Sequence, residues 1–194
     1  MTDEPAPNED ARLVARTQAG DPAAFDALVV KYSPRLYGLV YNMTSNHEDT
    51  NDLLQDIFAK AYRSIAGFRG NSAFYTWVHS IAVNMTINFL KKRGRRVQMS
   101  LDDMDAGVGN DKEFIELTSS TNPVREADLA ELQIRLNEAM MKLSYDHRAV
   151  VTMFDIQGMP HAEIAKILGV SEGTVRSRLF YAHRQLQSYL EEFH

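Results

Sequence analysis

Apolar residues in this chain recur at the three-to-four-residue spacing of a helix, and no stretch sustains the alternation of a strand. That regularity predicts an all-α fold. In "DPAAFDALVVKY", Asp21 is placed to cap a helix and Pro22 occupies its first position. Phe25, Leu28, Val29 and Tyr32 follow as one stripe. Pro34 is expected to kink or restart this helix, with Ser33 available as a cap. A second helix is expected over about 47–65, capped by Asn46, and a third over about 72–92.

After Arg96 the pattern fails. Gly107, Gly109, Asn110 and the run Thr118 to Thr121 mark a linker ending near Pro123. Periodicity returns at Glu126, with helices expected over about 125–143, 145–157, 161–168 and 172–190. Ser144 and Ser171 are the expected N-caps and Gly158 a stop. The expected organisation is therefore two small helical domains. Residues 1–20 form a tail and the start of the first helix, 21–96 one domain, 97–123 an acidic flexible linker, and 124–194 a second domain.

Charge is placed unevenly. The formal net charge is −5, yet "KKRGRR" (Lys91 to Arg96) is densely basic and "DDMDAGVGNDKEFIE" (Asp102 to Glu116) acidic, so the blocks say more about partners than the sum. There is no cysteine, which excludes a disulfide framework, a Cys-based zinc site and a thiol nucleophile, and is compatible with a reducing cytoplasmic home. No apolar run approaches the roughly 20 residues of a membrane helix, so no membrane insertion is expected. "MTDEPAPNED" is acidic and Pro-rich, unlike a signal peptide, and reads as a disordered tail. The histidines are scattered, His161 and Glu163 do not make an HExxH pair, and no Gly-rich phosphate loop occurs. No catalytic residue, metal or cofactor is expected, and the chain does not read as an enzyme.

"PHAEIAKILGVSEGTVRSRLFYAHRQL" has the shape of a helix-turn-helix. Ile164, Ala165 and Leu168 mark a short helix, Gly169 allows a tight turn, Val170 plugs the angle, and Ser171 caps the second helix. At about 100° per residue, Val175, Leu179, Ala182 and Leu186 share the inward face. Gly173, Ser177, Phe180, Tyr181 and Arg184 lie opposite, with Arg176 and Arg178 on the flanks and Thr174 beside Gly173. Arginine can bridge a guanine edge or hold a phosphate, serine can bond either, and Phe180 could lie on a thymine methyl. A helical hairpin packing on something other than DNA is the competing account of the motif.

On the second helix Leu53, Leu54, Ile57 and Ala61 share a face, and Asp52, Gln55, Asp56 and Arg63 lie opposite. That second face is either simply solvated or a docking surface for a basic partner helix. The third helix is apolar nearly all round, the mark of a helix in the middle of a domain. Phe74, Ile81, Asn84 and Asn88 lie near Trp77 on its wheel, and buried amides there would need partners. The turn before it, "GFRGNSAFYTW", allows two readings. Its rings could be core, as expected for Trp77 and Phe74. Or it could capture an unstacked base, with Phe68, Arg69 and Tyr75 exposed and "KKRGRR" holding phosphates.

The stretches "DLLQDIFAKAYRSI", "FRGNSAFYTWVHSIAVN", "GRR" and "GTVRSRLF" together resemble the extracytoplasmic-function sigma factors of bacterial RNA polymerase, most closely the sigma-E type. The resemblance covers roughly 21–96 and 123–186. It implies a promoter-specificity subunit of core RNA polymerase, with an anti-sigma factor as inhibitor. Asp52, Gln55 and Asp56 would dock on the polymerase clamp helices. Ser64, Phe68, Ile81 and Asn84 would line a pocket for a flipped −10 base, with Arg69, Lys91 and Arg93 as phosphate contacts. Arg176, Ser177 and Phe180 match positions that touch the −35 element, on the surface shared with Gly173, Thr174, Tyr181 and Arg184. Two departures stand out: Tyr181 and His183 replace arginines usual after the recognition motif, and Pro160 replaces a capping serine. The rival from another class is a stand-alone helix-turn-helix regulator, which would bind a palindromic duplex tightly without polymerase.

Overall fold

The computed structural model describes residues 7–101 and 123–191. Among these, every regular element is helical: α1 (Pro7–Gln18), α2 (Pro22–Thr44), α3 (His47–Ser64), a 3-10 turn (Ile65–Gly67), α4 (Phe74–Leu101), α5 (Pro123–Lys142), α6 (Tyr145–Val151), a π-helical turn (Thr152–Ile156), α7 (His161–Leu168) and α8 (Glu172–Glu191). Most of the acidic linker read from the sequence lies outside the described residues.

Residues 7–10 differ from the tail expected of them, since they begin α1 and the acidic pair among them has partners, while residues 1–6 lie outside the described residues. Glu9 and Asp10 sit in the first turn of α1, where the helix dipole favours negative charge. Both accept from the Lys31 ammonium, and Asp10 also accepts from the Tyr32 hydroxyl. At the other end, the Gln18 amide donates to the carbonyls of Ile65 and Phe68, at 2.8 and 2.9 Å, pinning α1 to the turn before α4.

α2 runs unbroken past Pro34, so the helix does not restart there. Pro34 and Val30 are both exposed, so the carbonyl that Pro34 leaves without a donor is on the solvent side. Ser33 is no cap: its hydroxyl donates back to the Val29 carbonyl at 2.7 Å. Asp21, Asn46, Ser144 and Ser171 do cap their helices, each accepting a first-turn amide. The helix expected over 145–157 changes pitch at Thr152 and ends at Gly158, whose φ of +68° is left-handed.

Leu28, Leu36 and Met43 of α2, Leu53 and Ile57 of α3, and Phe74, Val78 and Ala82 of α4 form the N-terminal core. Leu143, Val150, Met153, Ile164, Val175 and Leu179 form the C-terminal one. The two halves touch. α7 packs on α4, and α6 with the π-turn packs on α2. Thr76 donates to Glu163 at 3.3 Å, and the Tyr145 hydroxyl donates to the Leu90 carbonyl at 3.2 Å. These two anchors fix one face of α4 under the C-terminal half. At 100° per residue His79, Val83 and Ile87 fall on that face, and all three are buried. A helix apolar nearly all round is thereby explained: one side serves its own core and another serves the neighbouring half.

Candidate nucleic-acid interface

α7 and α8 are joined by a turn that needs a left-handed residue. Gly169 supplies it at φ +65°, and the amides of Gly169 and Val170 both close on the Ala165 carbonyl. Pro160 stands at the N-cap of α7 without a side-chain bond. Ser171 accepts from the Thr174 amide at 3.1 Å and shares a 2.9 Å bond with the Thr174 hydroxyl, so Thr174 is committed to the cap. Val175, Leu179, Ala182 and Leu186 are buried as expected, which turns Gly173, Arg176, Ser177, Phe180, Tyr181 and Arg184 to solvent. Phe180 is 62% and Tyr181 55% exposed, their rings edge-to-face at 5.5 Å. Two large rings side by side in water, rimmed by two arginines, form a surface suited to a groove edge. The other basic groups nearby are engaged elsewhere: Arg178 pairs with Asp146 at 3.5 Å, and His183 with Asp155 at 2.7 Å.

In the N-terminal half Phe68 directly follows the 3-10 turn Ile65–Gly67. Its ring lies 5.1 Å from Trp77 and 6.1 Å from Phe74. Phe74 is core, while Phe68, Tyr75 and Trp77 are each half-buried, so the turn is partly packing and partly surface. Trp77, Ile81, Asn84 and Asn88 share one stripe of α4. Ile81 is half-buried, but Asn84 and Asn88 are exposed. The buried-amide penalty expected of the two asparagines therefore does not arise. Their side-chain amides make no hydrogen bond among the described residues, about two and three turns along the stripe from the half-buried Trp77. Ser64 ends α3 just before the turn, half-buried, and Arg69 is exposed. Of the basic block, Lys91 is exposed, whereas Arg93 pairs with Asp49 in the first turn of α3.

Asp52, Gln55 and Asp56 are all exposed on α3, opposite the buried Leu53, Ile57 and Ala61. Among the described residues no group of acidic, histidine or cysteine side chains is arranged to hold a metal ion, and no helix is long and apolar enough to cross a membrane.

Comparisons with known proteins identify the family. The family model "Sigma-70 region 2" matches residues 28–96, and "Sigma-70, region 4" matches residues 133–186. The chain is a sigma-70-family sigma factor. It is 36% identical over 187 residues to the RNA polymerase sigma-H factor of Pseudomonas aeruginosa, covering 94% of each chain. It is also 36% identical over 186 residues to the ECF RNA polymerase sigma-E factor of Escherichia coli K12, again covering 94% of each. A solved complex of the sigma factor RpoE with the anti-sigma factor NepR from Bartonella quintana has the same fold, with TM-score 0.65, 24% identity, and 86% of this chain and 96% of that one covered. In this sigma factor the aromatic turn and the Asn84 stripe lie within region 2, and the exposed rings of α8 within region 4.

The groups joining the halves were not singled out in the sequence. Arg148 in α6 is only 2% exposed. It donates to the carbonyls of Met140, Met141 and Leu143 at the end of α5, and to Met43 at the end of α2, at 2.6–3.2 Å. Burial lowers its pKa to about 10, with Tyr145 opposing, so it stays a cation at neutral pH. Gln157 donates to the Arg35 carbonyl at 2.8 Å. The one sequence signal for this contact was the second apolar face of α4.

Proposed function

We propose that this sigma factor reads a promoter in two places at once while held by core RNA polymerase. Region 4 lays α8 in the major groove of the −35 element, with Arg176, Ser177, Phe180, Tyr181 and Arg184 toward the DNA and Gly173 leaving room for close approach. Region 2 captures an unstacked −10 base between Phe68 and the Ile81–Asn84 stripe, beside Ser64, with Arg69 and Lys91 on the phosphates. Asp52, Gln55 and Asp56 dock on the polymerase. The domains divide within 97–123, where the tether joins the end of α4 at Leu101 to the start of α5 at Pro123. An anti-sigma factor would act as inhibitor in the cytoplasm, as the resemblance implies.

Support for this reading comes from two aromatic surfaces in one chain, the exposed Phe180–Tyr181 pair on α8 and the half-buried Phe68–Trp77 pair where the turn meets α4, with the exposed Asn84 amide two turns along the Trp77 stripe. A stand-alone regulator needs only the first. Each surface is small and modestly charged, so spacing by polymerase would let linked weak contacts add as effective concentration.

Run-off transcription with purified core polymerase and a promoter library tests the reading. Promoter-dependent transcripts that require this chain are expected. Tight specific binding to a palindromic duplex without core enzyme would replace it with the stand-alone regulator.

A further inference from the structure

The turn that leads into α4 has almost no hydrogen bonding of its own. The Phe68 amide closes on the Ile65 carbonyl at 3.0 Å, and the next backbone bond along the chain runs from the Trp77 amide to the Ala73 carbonyl at 3.1 Å. Among the described residues, Arg69 to Ser72 make no backbone–backbone hydrogen bond, and Gly70 takes a left-handed φ of +71°. What holds this stretch comes from α1. A primary amide has two N–H donors, and Gln18 commits both to the turn, on the carbonyls of Ile65 and Phe68 at 2.8 and 2.9 Å.

The base that carries this amide is rigid. Near its start α1 is fixed to α2 by Asp10, which accepts from Lys31 and Tyr32. Near its end Arg16 donates twice to Asp21, at 2.9 and 2.6 Å, and Asp21 in turn caps α2. Val14 and Thr17, between these two points, are buried. A peptide unit is planar, so fixing the Phe68 carbonyl also fixes the Cα atoms of Phe68 and Arg69. The starting points of one ring and one guanidinium are thereby set from a separate helix. The Phe68 ring completes the arrangement by lying 5.1 Å from Trp77.

We propose that Gln18 is a positioning residue for capture of the extruded −10 base, acting through the Phe68–Arg69 peptide rather than on the DNA. The proposal rests on the base-capture reading above. Gln18 is exposed, so its removal leaves two carbonyls that water can reach, and the fold survives. The turn, however, becomes free to move, and that freedom must be given up at the moment of capture. Ordering even one backbone residue at that step costs about tenfold in equilibrium. An arm that orders the turn beforehand removes this cost from promoter opening.

Gln18→Met keeps the length of the side chain and removes both donors. The full-length variant is assembled with core polymerase and compared with the parent and with Asn84→Ala. Permanganate reactivity of the −10 region is expected to fall about tenfold. Helicity of the free protein and holoenzyme affinity for a −35 duplex are expected to stay within about twofold of the parent, because the site lies on the surface of the other region. Trp77 is the sole tryptophan, so its emission reports on the Phe68 ring beside it. In the free variant that emission should shift to the red as the ring moves away. Opening equal to the parent in Gln18→Met, with Asn84→Ala impaired, overturns the proposal and leaves the base-capture reading standing. A parallel loss of −35 affinity, or impaired opening with unshifted Trp77 emission, also overturns it, since the effect would not pass through the turn. If neither variant alters opening, base capture at this turn fails and takes the proposal with it.

Discussion

The guanidinium of Arg148 donates to the carbonyl of Met43 at 2.6 Å, across 105 residues of sequence. One buried side chain thereby satisfies the ends of two helices, α2 and α5, that belong to different regions. A helix C-terminus carries partial negative charge, so a cation there is favoured even without a carboxylate.

Replacing Arg148 with Met keeps much of the volume and removes every donor. Carbonyls at both helix ends are then left to find other partners. The expected loss of stability is about 2–4 kcal/mol by urea unfolding. Arg148→Lys should recover only part of it, because an ammonium cannot span carbonyls on opposite sides as a planar fork does. A Met variant as stable as the parent would show that the fork is not holding these ends.

His79 gives the protein a defined acid sensitivity. Its Nδ1 faces the Tyr75 carbonyl at 2.8 Å and so carries the proton, which leaves Nε2 as a buried acceptor. Burial lowers the pKa from 6.5 to about 4; the Tyr75 carbonyl opposes this and the positive charge of Arg35 adds to it. An unfolded or exposed His79 therefore takes up a proton first as pH falls. Stability from this group is fully present above about pH 7 and is lost between about 6.5 and 4, by roughly 3 kcal/mol at most. His79→Leu should flatten that part of the stability–pH curve. An identical slope in the variant would assign the acid loss to other groups.

What could be read in advance followed from local chemistry. The caps at Asp21, Asn46, Ser144 and Ser171 and the Gly169 turn depend on neighbours a few residues away, and each is found as read. The inward faces of α3 and α8 follow from period alone. Where long-range partners decide, the reading erred or was silent. The acidic start of α1 looked like a tail because Lys31 and Tyr32, which order it, lie two turns into another helix. Asn84 and Asn88 were placed with Trp77 correctly on the wheel, but period does not say how deep a stripe sits. The role of Arg148 needed Met43, and no local pattern joins them.

Asn84 separates function from packing. It is exposed and its side-chain amide makes no hydrogen bond among the described residues, so Asn84→Ala should change stability by less than about 0.5 kcal/mol. If its amide reads an extruded base, promoter opening should fall roughly tenfold or more, equivalent to losing about 1–3 kcal/mol of base contact. Permanganate footprinting of the −10 region by the reconstituted holoenzyme measures the opening directly. Equal footprints from variant and parent would remove Asn84 from the pocket.

Tyr181 is the most informative position on α8. Its ring is 55% exposed and leans on Phe180, at a position where the resemblance leads one to expect arginine. Neighbouring Arg178 and His183 are paired with Asp146 and Asp155, so the DNA side of this helix depends on Arg176 and Arg184 for positive charge. Tyr181→Arg adds one cation there without disturbing a buried contact. Holoenzyme binding to the −35 duplex should tighten, and the slope of log affinity against log salt should steepen by about 0.9, the signature of one more phosphate neutralised. A tighter complex with an unchanged slope would mean that the new arginine reads a base edge instead. An unchanged affinity and slope would move position 181 off the DNA, and with it the orientation assigned to α8 in the groove.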